Sequence, residues 1–261
     1  MSRNFELLRK VGKERETSLN HRVPAARVVP SVSAESTAPR TPVNGKRLLP
    51  DVDPRIRGEL IKLVQRVFLS PLVDAPRAVL FSAVEHGAGC SRICVWAGEA
   101  LAAQVPGSVC LVDADLRSPS LHQLFQLDDT CGLNQAVTQP GPIRKFVQQI
   151  SHTNLWVLPS GSRTSDPHML LVSDPFVSRL RELCAQFDYV LINTAPIGLY
   201  SDATVLGQLA DGIVLVLEAN STRRELAKRV KDSLEAANLG LLGAVLNKRS
   251  FPLLEKIYRQ R

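Results

Sequence analysis

The pattern that most constrains this chain is a series of short, unbroken apolar runs separated by stretches with helical spacing. The runs are Arg77-Ala-Val-Leu-Phe81, Val109-Cys-Leu-Val-Asp113, Leu155-Trp-Val-Leu158, Tyr189-Val-Leu-Ile-Asn193, Gly212–Glu218 and Leu241–Asn247. Strands of a sheet with one wet face alternate apolar and polar residues. Continuous apolar strands require cover on both faces, which α-helical crossovers of a parallel sheet provide. Helices are expected over Pro54–Leu69, with Ile56, Leu60, Leu63, Val64 and Val67 as the inner stripe, and over Ser91–Val105, with Ile93, Ala97, Ala100 and Leu101 inside. Two more are expected over Leu170–Phe187 and Thr222–Asn238. The expected fold class is α/β, a doubly wound, mostly parallel sheet. Ligands of such sheets bind beyond the carboxyl ends of the strands, so function is sought just after Phe81, Val112, Ile192, Leu217 and Leu246.

Charge divides the chain. Residues 1–50 hold 10 basic and 4 acidic side chains, and residues 51–261 hold 22 and 21. The near-neutral remainder argues against a nucleic-acid-binding face. Prolines 24, 30, 39, 42 and 50, among many Ser and Thr, mark residues 17–50 as a disordered linker. Residues 2–16 read either as a short basic helix with Phe5, Leu8 and Val11 on one side, suited to an anionic membrane or a partner groove, or as a solvated tail. The organisation expected is a basic tail (1–50), one domain (51–250) and a short C-terminal tail (251–261). No uncharged apolar run reaches ~18 residues, so no membrane-spanning helix is expected. The first residues lack the apolar core of a secretory signal. Five cysteines (90, 94, 110, 131 and 184) suggest reduced thiols in the cytoplasm.

Three strand ends carry chemistry. After the first run comes Ser82-Ala-Val-Glu-His-Gly-Ala-Gly-Cys-Ser-Arg92. Gly87 and Gly89 before a helix start have the layout of a phosphate-binding loop, whose backbone N–H groups and helix dipole attract anions. The usual loop ends Gly-Lys-Ser/Thr, whereas this one ends Gly89-Cys90-Ser91. A tight strand-to-helix turn accounts for the glycines equally well. After the second run, Asp113-Ala-Asp115 sets two carboxylates on one side of an extended chain, ready to face a phosphate–metal cluster. The alternative is helix capping and a salt bridge with Arg117. After the fourth run, Asn193 stands where an acid would hold a metal-bound water, followed by Ser201-Asp202-Ala203. Asn247-Lys248 ends the last run, placed either to read a purine edge or simply to turn the chain. A thiol at a helix N-terminus tends toward thiolate, so Cys90, with Cys94 one turn on, is a candidate redox pair. The plainer reading is that Cys90 packs beneath the loop.

Together these segments resemble the bacterial tyrosine kinases of capsule and exopolysaccharide assembly, the BY-kinases, a branch of the P-loop ATPases that also includes cell-division and plasmid-partition ATPases. The resemblance runs from about Pro54 to Lys248 and is densest at Val109-Cys-Leu-Val-Asp-Ala-Asp-Leu-Arg-Ser-Pro-Ser-Leu-His122. Gly132-Leu133, Leu158-Pro-Ser-Gly161, Phe187–Ile192 and Ser201–Ala203 follow in family order. It implies ATP or ADP with Mg²⁺, cradled by Gly87, Ala88, Gly89, Cys90, Ser91 and Arg92. Ser91 and, through water, Asp115 would hold the metal, Asp113 would take the proton of the attacking hydroxyl, and Asn247 would contact adenine. It further implies a cytoplasmic protein, possible ring-like self-assembly near Glu59 and Lys62, and a membrane-anchored chain-length regulator as partner. The basic tail would then touch the inner face of the membrane. The departures are Cys90 for the loop lysine, Asn193 for the first aspartate of the third motif, and one C-terminal tyrosine, Tyr258, in place of a cluster. The expectation is a nucleotide-binding regulator of polysaccharide synthesis with weak or lost kinase activity. One alternative is an active autokinase with Tyr258 as acceptor. Another is a partition-type ATPase that dimerises over nucleotide, although Glu85 stands where that type carries a second lysine.

Overall fold

A computed structural model describes residues 52–70 and 75–249. The basic tail, the C-terminal segment and Tyr258 lie outside the described residues. The chain forms α1 (Pro54–Phe68), β1 (Ala78–Ala83), α2 (Cys90–Ala102), β2 (Val109–Asp113), α3 (Leu121–Phe125), α4 (Leu133–Thr138), a 3₁₀ turn (Ile143–Lys145), β3 (Gln148–Gln149) and β4 (Leu155–Leu158). It continues through α5 (Pro167–Leu171), α6 (Asp174–Gln186), β5 (Tyr189–Asn193), α7 (Asp202–Gly207), β6 (Gly212–Glu218), α8 (Arg224–Ala236) and β7 (Leu241–Asn247).

The strands make one seven-stranded sheet in the order β3-β4-β2-β5-β1-β6-β7. Every pairing is parallel except β3 with β4. All residues of β1 and β2 are buried, as the continuous apolar runs require. Alternate side chains serve two cores. Val79, Phe81, Leu111 and Leu191 pack with Leu60, Val64 and Phe68 of α1 and Ile93, Ala97 and Leu101 of α2. Leu80, Val112, Val190 and Ile192 face the other way, onto Leu180 and Leu183 of α6 and Val230 and Leu234 of α8. The sheet is thus covered on both sides, as a doubly wound α/β fold demands.

Local signals set most ends. Asp53 caps α1 by accepting from Arg55 N at 2.7 Å, with Pro54 as the first helical residue. Ile56, expected in its inner stripe, is 45% exposed. Glu59 and Lys62 form an exposed pair at 2.7 Å. The helix expected over Leu170–Phe187 is two helices. Ser173 ends α5 and caps α6, accepting from Phe176 N at 3.3 Å, and Pro175 has no N–H to carry a ladder across the break. The antiparallel edge β3 has only two residues, too few to leave a period in the sequence.

Candidate functional site

The carboxyl ends of β1, β2 and β5 meet in one row. Asp113 is in register with Asn193, and Asn193 with Phe81. The chain leaving β5 packs onto the start of the glycine loop. Ser82 Oγ donates to Ala195 O at 3.0 Å and accepts from Ile197 N at 3.1 Å. A Cβ on Gly198 would collide with the Val84 carbonyl oxygen, so only glycine fits there. Neither Ser82 nor Gly198 stood out in the sequence, since their roles depend on a contact more than a hundred residues away.

The loop has the cradle geometry. Gly87 and Gly89 take φ of 85° and 82°, the left-handed region that glycine enters without cost. The ladder of α2 begins with Ile93 N–H on Gly89 O at 3.1 Å, so the N–H groups of Cys90, Ser91 and Arg92 precede it and form the anion-attracting end. Arg92 contributes only that backbone group, because its guanidinium turns along the helix, 5.9 Å from the Trp96 ring. Asn247, at the end of β7, donates Nδ2 to Ala88 O at 2.8 Å. A Cβ on Gly89 would come within 2.6 Å of that same nitrogen. Ser91 is the second residue of α2, and the exposed His86 meets the Tyr200 ring edge-on at 5.9 Å.

The two acids have different partners. Asp113 is fully buried. One of its oxygens accepts from Ser120 N and Leu121 N, both at 2.9 Å, at the start of α3, and the other accepts from Asn193 Nδ2 at 3.0 Å. Burial pushes its pKa up to about 6, against the pull of those donors. Asp115 accepts from Arg117 N at 3.3 Å and Ser118 N at 3.0 Å, and burial raises it too. The capping alternative therefore holds for Asp113, while the salt bridge to Arg117 goes elsewhere. Arg117 forks onto Asp202, at 2.7 and 3.1 Å, beneath Tyr200, whose ring lies 4.3 Å away. Asp202 is 1% exposed, so the pair fixes the acid loop to the start of α7.

The thiolate expectation for Cys90 is overturned. The side chain is buried in the apolar core, and burial, then the charges of Asp115 and Asp113, push its thiol up rather than down. Cys94 is raised by burial as well. Both are neutral packing thiols, because the helix dipole is outweighed by desolvation and two nearby acids.

Asn193 Oδ1 and Thr194 Oγ1 are buried and have no hydrogen-bond partner. An orphaned polar atom of this kind costs about 1–3 kcal/mol, which a cation-bound water would recover. Glycines in the left-handed region, helix N–H groups, the Ser91 hydroxyl, Asp115 and these two oxygens together fit a nucleotide phosphate with a hydrated Mg²⁺.

No family model matches the chain. It is 38% identical to the tyrosine-protein kinase YwqD of Bacillus subtilis (strain 168) over 145 residues, covering 56% of this chain and 61% of the relative. It is 31% identical to the putative tyrosine-protein kinase CapB of Staphylococcus aureus over 146 residues, covering 56% and 64%. The matches span less than two thirds of either relative. Among solved structures, the chimerical protein CapA2B2 superposes with a TM-score of 0.71 at 25% identity, over 77% of this chain and 88% of the other. The septum site-determining protein MinD of Pyrococcus horikoshii OT3, solved with Mg-ADP, shares the fold with a TM-score of 0.54 at 20% identity, over 67% and 72%. The conclusion is that this chain is similar in sequence to bacterial tyrosine-protein kinases over just over half of its length and shares its fold with CapA2B2 and MinD.

Proposed function

We propose that this chain is a nucleotide-binding, BY-kinase-like regulator of capsular or exopolysaccharide synthesis and export, with kinase activity weak or lost. One observation carries the reading. The cradle, Ser91, Asp113 and Asp115 are all present, while Cys90 and Asn193 remove a positive and a negative group from the same site. Losing one charge-assisted hydrogen bond to a phosphate costs roughly 1.5–3 kcal/mol, about 10- to 150-fold in affinity. Binding survives that loss in the micromolar-to-millimolar range. Phosphoryl transfer is positioning and charge stabilisation almost throughout, so losing two charged parts together weighs more on catalysis. Bound Mg-ATP supplies the transferable phosphoryl group. Gly87 to Arg92 orient it through backbone N–H groups, Ser91 and Asp115 hold the hydrated cation, and Asn247 meets the base. The partner is a membrane-anchored chain-length regulator, and the setting is the cytoplasmic face of the membrane, touched by residues 1–50. Among the described residues no helix is long and apolar enough to cross a bilayer.

Incubation with Mg-ATP and a phosphotyrosine blot tests the reading. Little or no signal is expected, together with measurable nucleotide binding that tightens in Cys90→Lys. A second reading, an active autokinase, draws support from Asp113, whose pKa of about 6 suits a base near neutral pH. Strong signal abolished by both Asp113→Ala and Tyr258→Phe would establish it and defeat the first. The partition-type dimer ranks last because Glu85, where that type carries a lysine, would repel phosphate.

A further inference from the structure

A polyphosphate in this cradle faces Asp113, Asp115 and Glu218 and needs a cation. Position 90 is a neutral thiol, Arg117 is committed to Asp202, and Arg92 lies along Trp96. The sheet's last strand offers another. β7 ends against the loop through the Asn247–Ala88 hydrogen bond. The next residue, Lys248, takes φ of 56°, a left-handed conformation that is unfavourable for a lysine. Its Nζ rests on Glu218 Oε1 at 3.0 Å, and the other oxygen of Glu218 lies 3.9 Å from where a Cβ on Gly87 would sit. The ammonium is thus held at the lip of the loop, half exposed, on an acid that borders its first glycine. A lysine's flexible four-carbon stem lets it turn from that acid to a phosphate.

Resting on the nucleotide reading above, we propose that Lys248 is the phosphate-binding lysine of this site. It arrives from the last strand in place of the one missing at position 90, and Glu218 holds it when no phosphate is bound. The left-handed turn after Asn247 brings its side chain back over β6 toward the loop.

Titration of the full chain with a fluorescent ADP analogue and Mg²⁺, with unlabelled adenosine as a phosphate-free competitor, tests this. Lys248→Gly suits the left-handed backbone, so its melting temperature should match or exceed wild type, while its ADP affinity should fall about 10- to 100-fold. Adenosine affinity should not change. Glu218→Gln should tighten ADP several-fold by releasing the ammonium. In a Cys90→Lys background, Lys248→Gly should matter less than about threefold, because the two lysines serve the same oxygens. ADP affinity within twofold of wild type for Lys248→Gly, or an equal loss in both backgrounds, overturns the assignment. Binding by Cys90→Lys alone, with none by wild type, overturns it and leaves the nucleotide pocket standing. Absence of binding in both sinks the nucleotide reading and this assignment with it.

Discussion

Restoring the acid at position 193 is the sharpest perturbation of the site. In the wild type, Asn193 Nδ2 donates to Asp113 Oδ1 at 3.0 Å, and neither side chain reaches solvent. Asn193→Asp replaces that N–H with an oxygen. Two ionised carboxylates at this separation repel by about 5 kcal/mol at an effective dielectric constant of ~20. The pair avoids this by keeping one proton between its two members. Asp113 alone already sits at about 6, above its ordinary range, because of burial. A raised folded-state pKa means that the native protein holds a proton the unfolded chain has released. Stability from this group is therefore full below about pH 4 and is lost as pH rises through the folded value. In the wild type the loss is complete soon after pH 6. In Asn193→Asp it continues through pH 8, so the variant should be less stable there by about 2–5 kcal/mol and nearly equal at pH 5. At 2–4 °C per kcal/mol for a domain of this size, the gap at pH 8 is roughly 5–15 °C. Thermal unfolding by circular dichroism from pH 5 to 9 reads it directly, and added Mg²⁺ should narrow the gap at pH 8 by neutralising the pair. Parallel melting curves for variant and wild type across that range would refute the contact and the reasoning built on it.

Three further outcomes are expected. Gly89→Ala combines a φ of 82° with a Cβ 2.6 Å from the Asn247 amide, so it should lower stability by about 1–2 kcal/mol in a melting scan and abolish nucleotide binding; a variant that binds as well as wild type would contradict the cradle. Mild peroxide followed by mass spectrometry should leave Cys90 and Cys94 unmodified while the less buried Cys131 reacts, since burial raises both core thiols; sulfenylated Cys90 would reinstate the redox reading. Arg117→Ala leaves Asp202 buried without its forked partner and should cost about 2–4 kcal/mol by denaturant titration, somewhat below a fully buried pair because the arginine is partly exposed; a change within error would mean that the pair does not anchor the acid loop.

Much of the fold was legible because its causes are local. Six apolar runs, a glycine pair before a helix and a carboxylate pair after a strand are set by neighbours in sequence, and they placed β1, β2, β4, β5, β6 and β7, the cradle and the acids. The break at Ser173–Pro175 was also written locally, but the apolar spacing running through it masked the proline. What remained illegible depends on residues brought together from afar. The partner of Arg117 is 85 positions away, and Asn193 meets Asp113 only because β2 and β5 pair in one register. Cys90 shows the difference most clearly. Its place at a helix N-terminus predicts a lowered pKa, and only the surrounding core and two acids reveal the opposite. Which segments become strands and which loops can hold an anion was already written in the order of the residues, because backbone geometry and apolar period act within a few positions. The tertiary structure alone decided which side chains are charged, which are paired and which lysine borders the cradle, because burial and strand register are properties of the assembled sheet.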